Sequence, residues 1–204
     1  MEAGMVSAIR LSAGASVLAI LFAGALQGNN IVTNPGFETG NFTGWALSGD
    51  TTFTSVDSFS PHSGRFGAGL GTSAGAPGST GSITQTLATS AGVPYVIEFW
   101  VNTAVRPNFF SVSFGGNVLD SLTDITTSPS ILPPVYNLFS YTALASSAST
   151  DLVFTFRHDA WAWDLDDVSV EAATAVPEPG SSLLVAGGLI ALLAALRRYH
   201  AKAA

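Results

Sequence analysis

No long stretch of the middle of this chain escapes a turn-forming cluster. Asn34-Pro35-Gly36, Ser48-Gly49-Asp50, Ser60-Pro61-His62-Ser63-Gly64 and Gly115-Gly116-Asn117 recur through it, with the loop-like Gly71–Ser82 between the last two. Each cluster combines residues that tolerate or fix the backbone angles of tight turns. The segments between them have the length of strands, and helices need longer uninterrupted runs. Composition agrees. Only 10% of the 204 residues are charged, and the one lysine is Lys202. Amphipathic helices need Glu, Lys and Arg on their wet faces, whereas short strands manage with Ser and Thr. The expected fold is all-β, an antiparallel β-sandwich of the jelly-roll kind. Its strands are expected at Thr51–Val56, Gly64–Leu70, Ser82–Leu87, Tyr95–Asn102, Phe109–Phe114, Tyr136–Ala143, Leu152–Arg157 and Leu165–Glu171. Gly71–Ser82 and Thr127–Asn137 read as loops.

Both ends differ from the middle. Residues 1–25 read as a signal peptide: Arg10 precedes an apolar run, and Ala23-Gly24-Ala25 offers a small-x-small cleavage site. The alternative is an anchor that stays. The sandwich domain is assigned to 26–172, a linker with Pro-Glu-Pro to 173–180, a transmembrane helix to 181–196 and a basic cytoplasmic tail to 197–204. As a helix, 181–196 spans about 24 Å, short of the roughly 30 Å hydrocarbon core, so Arg197 and Arg198 would have to snorkel or the bilayer thin. The same arginines place the tail in the cytoplasm. Pro177 and Pro179 hold an extended segment just outside the membrane.

Charge and residue type exclude several functions. Residues 26–176 hold three arginines against twelve acids, a balance of −9, which leaves no basic patch for nucleic acid. Without cysteine there is no thiolate chemistry, and His62, His158 and His200 show no zinc spacing. No Gly-x-Ser-x-Gly, His-Glu-x-x-His or phosphate-loop motif occurs. Asp164, Asp166 and Asp167 cluster along one strand, and that does not set two carboxylates across a glycosidic bond. No catalytic residue is assigned; a hydrolase is the weaker alternative.

Binding is the stronger reading. In "YVIEFWVN", Tyr95, Ile97, Phe99 and Val101 alternate onto a core face. Glu98, Trp100 and Asn102 take the other face, where an aromatic beside polar groups suits a sugar; the plainer alternative is a tryptophan half-covered by a loop. In "DAWAWDLDDVSVEAA", Asp166 shares the parity of Val168 and Val170, so it should point inward at the sandwich rim and need donors or a cation. Trp161 and Trp163 then join the outer face of Trp100, unless a bulge resets the register. With the first and last strands as neighbours, Glu38 in "NPGFETGNFTGW" comes near Asp166, and two carboxylates plus loop carbonyls suit calcium. Otherwise they are solvated acids on separate loops. Phe37, Phe42 and Trp45 are expected core anchors around the Asn-Pro-Gly turn.

Two resemblances sharpen this. "NIVTNPGFETGNFTGW", "HSGRFGAGLG", "ITQTLATSAGVPYVIEFWVN" and "WDLDDVSV" resemble, in that order, a carbohydrate-binding-module-like jelly roll of the galactose-binding-domain superfamily. The resemblance implies a structural calcium held by Glu38, carbonyls near His62–Gly64, and Asp166. It transfers no sugar-binding residue. Val176, Pro177, Glu178 and Pro179, the apolar run, and Arg197-Arg198 resemble the PEP-CTERM sorting signal. That resemblance implies transient insertion in the inner membrane, cutting by an exosortase, and release to the cell surface of an exopolysaccharide-making bacterium. A polysaccharide is the expected ligand; the alternative is a structural surface protein with no soluble ligand.

Overall fold

A computed structural model describes residues 29–73, 78–129, 133–159 and 161–173. The expected signal peptide, transmembrane helix and sorting residues Val176, Pro177, Glu178, Pro179, Arg197 and Arg198 lie outside the described residues. Among the described residues no helix is long and apolar enough to cross a membrane.

Ten antiparallel strands form two sheets: β1 (Ala46–Gly49), β2 (Ser55–Asp57), β3 (Gly67–Leu70), β4 (Gly81–Ala88), β5 (Pro94–Asn102), β6 (Asn108–Phe114), β7 (Asn117–Thr123), β8 (Asn137–Leu144), β9 (Ser149–His158) and β10 (Trp163–Ala172). One sheet runs β1-β4-β9-β6-β7, the other β2-β3-β10-β5-β8. Strands β3 to β6 alternate between the sheets, so each connection crosses the core, which gives the jelly-roll topology.

Period-two alternation explains the long strands. Ile83, Gln85 and Leu87 of β4 point inward between exposed or half-buried Ser and Thr. Leu152, Phe154, Phe156 and His158 do the same on β9, and Phe110, Val112 and Phe114 on β6. Facing them, Tyr95, Ile97, Phe99 and Val101 fill the core as expected. Phe154 sits at the centre, with ring centroids 5.0 Å from Phe99, 5.7 Å from Phe110 and 6.0 Å from Trp45. Phe37 and Trp45 are buried and Phe42 packs on the core edge.

Three strands differ from expectation. Thr51–Val56 yields only β2, because Thr51–Thr54 closes as a turn whose Thr54 amide donates to the Thr51 carbonyl. β1 and β7 were not expected. Both are edge strands with exposed or mixed patterns, so no buried face imposes alternation on their sequences.

β10 holds the main departure. Leu165 pairs with Val101 and Asp166 with Trp100, but Ser169 pairs with Glu98, so Asp167 and Val168 together oppose Phe99. This is a β-bulge, and Asp167 takes a left-handed φ of 47°. Trp163 and Leu165 before it, and Val168 and Val170 after it, all reach the core. The first half of β10 pairs with β3. Beyond the bulge, residues 30–35 take over that edge: Ile31 donates to the Val170 carbonyl and Val168 to the Pro35 carbonyl. Gln85 clamps the same segment, accepting from the Thr33 amide and donating to the Thr33 carbonyl.

Because Phe154 touches the aromatic layers of both sheets, Phe154→Ala should cost about 3–5 kcal/mol. Urea unfolding of the variant and parent, at equal m-value, measures it.

Candidate functional site

The loops at the bulge carry a carboxylate cluster. Asp166 does not point into the sandwich. Opposite Trp100 it lies on the outer face of its sheet, yet it is fully buried because the loop from Ser60 to Gly64 closes over it. Its Oδ2 accepts from the amides of His62 (2.8 Å) and Ser63 (3.2 Å), and its Oδ1 from that of Asp167 (2.8 Å). Burial pushes its pKa up to about 6 against the pull of these amides. Asp167 binds His62 Nδ1 at 2.6 Å and Ser63 Oγ at 2.8 Å. Glu38 Oε1 accepts from the amides of Arg65 (2.9 Å) and Phe66 (3.0 Å).

These acids meet at Gly36, where a Cβ would stand 3.3 Å from Asp167 Oδ1, 3.5 Å from Asp166 Oδ1 and 3.7 Å from Glu38 Cγ. Glu38 and Asp166 therefore share one cluster. Gly64, at φ +63°, is pressed against Glu38; a Cβ there would fall 2.2 Å from Oε1. The donors are all oxygen, and the missing Cβ of Gly36 leaves a cradle, which suits a hard cation in type. Among the described residues no three His, Asp or Glu side chains are placed so that all could ligate one metal ion, so further ligands would be backbone carbonyls.

The expected sugar platform is dispersed. Trp163 is wholly buried, its indole N–H donating to the Arg157 carbonyl at 3.2 Å. The bulge, absent from a continuous reading of β10, puts it in the core. Trp100 is on the outer face but covered: His62 stacks on it with centroids 4.0 Å apart and planes at 16°. Asn102 is 2% exposed, its amide donating to Asp164 at 2.8 Å. Glu98 lies farther along the same face. With Val96, Ser169 and Glu171 it lines an open recess of about 240 Å³. Burial raises Asp164 to about 6.

Trp161 alone of the expected aromatics is open to solvent, at 46% exposure. Phe53, 62% exposed and expected from the sequence to lie in a strand, has its backbone carbonyl beside the same glycine as that of Trp161. A Cβ on Gly71 would lie 2.7 Å from the Phe53 carbonyl oxygen and 2.9 Å from that of Trp161, so only glycine lets the two loops flank it. Beside them Asp50 accepts from the Ser73 amide (2.9 Å), Thr52 Oγ1 (2.8 Å) and Ser79 Oγ (2.9 Å), which hold its carboxyl far below the usual range. The result is a rim with exposed rings and hydroxyl-bearing loops.

The Trp161 loop is held from below by His158, which is fully buried. Its Nδ1 accepts the Trp161 amide at 2.8 Å and its Nε2 meets Thr103 Oγ1 at 3.2 Å. Thr72 Oγ1 receives the His158 amide (3.2 Å). Nδ1 is an acceptor, so the ring is neutral with its proton on Nε2. Desolvation lowers its pKa to about 4. The parity of Leu152, Phe154 and Phe156 extends to His158, and that signal marks it as inward-facing.

No family model matches the chain, and no curated protein matches it. Solved structures share its fold. A family 61 carbohydrate-binding module in complex with β-1,4-galactotriose aligns at a TM-score of 0.53 and 21% identity, over 71% of this chain and 99% of that one. An arabinose-bound α-L-arabinofuranosidase aligns at 0.52 and 15% identity, over 76% of this chain and 28% of that one. The enzymatically active domain of tailspike protein 4 of bacteriophage CBA120 aligns at 0.53 and 17% identity, over 70% and 21%. In the latter two the chain matches one domain-sized part.

Burial of neutral His158 has a pH signature. Its folded pKa of about 4 lies below the unfolded 6.5, so its contribution is complete above pH 6.5 and is lost as pH falls towards 4. The stability advantage of the parent over His158→Gln should shrink by up to about 3 kcal/mol across that window. Paired urea titrations at several pH values check this; a constant difference would show that His158 is not held neutral.

Proposed function

We propose that this chain is an exported, non-catalytic surface protein that binds polysaccharide through the rim formed by Phe53 and Trp161. The observation that carries the reading is that two exposed aromatic residues, Phe53 and Trp161, have backbone carbonyls flanking the same glycine, Gly71. Sugar rings offer C–H faces to aromatic planes and hydroxyls to polar neighbours, and exposing two large aromatics otherwise has a solvation cost. The fold shared with a galactotriose-bound module supports the class of ligand and suggests β-1,4-galactan as a first probe. Glu38 and Asp166, with carbonyls of the adjoining loops, hold a calcium ion in this reading. Its charge would offset the desolvation of Asp166 and tie the loop after Ser60 to β10.

The ends determine where the protein works. The export signal carries the domain across the inner membrane, the helix of 181–196 holds it there, and an exosortase cuts beside Val176-Pro177-Glu178-Pro179 to release it.

Affinity electrophoresis through gels containing galactan, xylan or the host's own exopolysaccharide tests the binding. Retardation by at least one polymer is expected. Phe53→Ala and Trp161→Ala should each weaken it by about tenfold, with melting temperature unchanged, whereas Trp100→Ala should not weaken it beyond any loss of stability. Retardation that survives the double rim variant would sink the assignment. Replacing Pro177-Glu178-Pro179 with three alanines should leave the protein in the membrane fraction of its native host; an unaltered release profile would refute sorting.

A further inference from the structure

The outer face of the second sheet has a place that lacks both a positive charge and a hydrogen-bond partner. Asn102 is buried, and its amide is aimed at Asp164, to which Nδ2 donates at 2.8 Å. Oδ1 of the same amide has no partner among the described residues. A buried acceptor left so keeps the full cost of its desolvation. Asp164 receives only uncharged donors, Ser60 and Asn102, and it feels the repulsive charge of Asp57. The described arginines are engaged elsewhere: Arg65 over the Phe66 ring, Arg106 with Thr126 and Arg157 with Asp159. His62 is bound to Asp167.

There is also room. Opposite Asp164 on β3 stands Gly69. A Cβ there would make only ordinary contacts, 3.7 Å to Ser55 Oγ and 3.9 Å to the Ala162 Cβ. β2 runs alongside, pairing Ser55 with Gly69 and Asp57 with Gly67. A water molecule would satisfy Oδ1 and leave the charge. A proton on Asp164 would remove the charge and leave Oδ1 bare. A hard cation answers both, since it takes carboxylate and amide oxygens together.

We propose that Asp164 and Asn102 Oδ1, with Asp57 beside them, form a second cation site that takes calcium. It is separate from the Glu38–Asp166 cluster, about 7 Å along the strand at two residues' rise. Its cation fastens Ser60 and the loop that follows β2 onto the sheet.

The test uses the full-length chain in mild detergent, titrated with calcium by calorimetry and with terbium, whose luminescence Tyr136 and Trp100 can sensitise. The parent should bind at this site, and Asp164→Asn should abolish one binding event or weaken it by about tenfold or more. Glu38→Gln should spare that event. Asn102→Asp places a second carboxylate beside the first, so it should bind calcium more tightly and show a larger calcium-induced rise in melting temperature. Three results overturn the proposal, of which the first is Asp164→Asn with the parent's stoichiometry and affinity, and the second Asn102→Asp with the parent's calcium response. The second holds even where Asp164→Asn does not fold. Loss of binding in Glu38→Gln alone would assign calcium only to the other cluster and also overturn it.

Discussion

Asp166 is sealed from water, and three backbone amides make that tolerable. A buried carboxylate without donors would cost several kcal/mol. Two of its donors, His62 and Ser63, belong to a loop about a hundred residues earlier, and the third is the first residue of the bulge. The loop must close over the sheet to bring its amides there, and β10 bulges where the Asp167 amide turns to the Asp166 carboxylate. Closure then sets His62 flat on Trp100 and edge-on to Tyr136. It also presses Gly64 against Glu38, which ties the Asn-Pro-Gly turn to the same knot. One desolvated charge thus coordinates the turn after residue 33, the loop after β2 and the last strand.

The bulge decides what kind of surface each face becomes. With one extra residue in β10, Trp163, Leu165, Val168 and Val170 all enter the core although they do not share one parity. The outer face keeps Asp164, Asp166 and Trp100, and the loop covers much of it. That face has polar groups in quantity but no bare aromatic plane near Trp100. The aromatic planes are at the end of the sandwich, where β3 runs out at Gly71 and the loop before β10 turns on His158. The face and the rim are therefore physically different: one is organised by buried charge, the other by exposed rings on a buried imidazole.

The sequence made some of this legible and hid the rest for identifiable reasons. "YVIEFWVN" is buried on one side over its whole length, so its alternation was readable and its core face follows from it. The proximity of Glu38 to Asp166 could be inferred because the first segment takes over an edge of the last strand. Edge strands β1 and β7 have no such pattern. Trp163 misled because its parity matches that of an outward residue until Asp167 is recognised as supernumerary; the consecutive acids in "DLDDV" break the alternation and are the local sign of it. The covering of Trp100 by His62 joins segments far apart in sequence and leaves no local trace. Phe53 lies in a segment that reads as a strand and closes as a turn, and the approach of its backbone and that of Trp161 to one point depends on Gly71, whose importance is a matter of close approach and not of composition.

Charge poverty connects the fold to the proposed ligand. A sandwich whose outer positions are mostly Ser, Thr and Gly needs few ion pairs, and the described residues show only two, His62–Asp167 and Arg157–Asp159. With three arginines engaged by Phe66, Thr126 and Asp159, the domain presents many acceptors and few cationic donors. An anionic polymer would meet repulsion from the balance of −9 over residues 26–176. A neutral glycan would not: its hydroxyls can donate to carboxylate and carbonyl oxygens, and its C–H faces can cover Phe53 and Trp161. The same excess of acceptors is what makes a cation the natural complement of the interior of the outer face. In this reading the acidity that excludes nucleic acid also selects between ligands, hydroxyl-rich ones at the rim and metal ions beneath the loop.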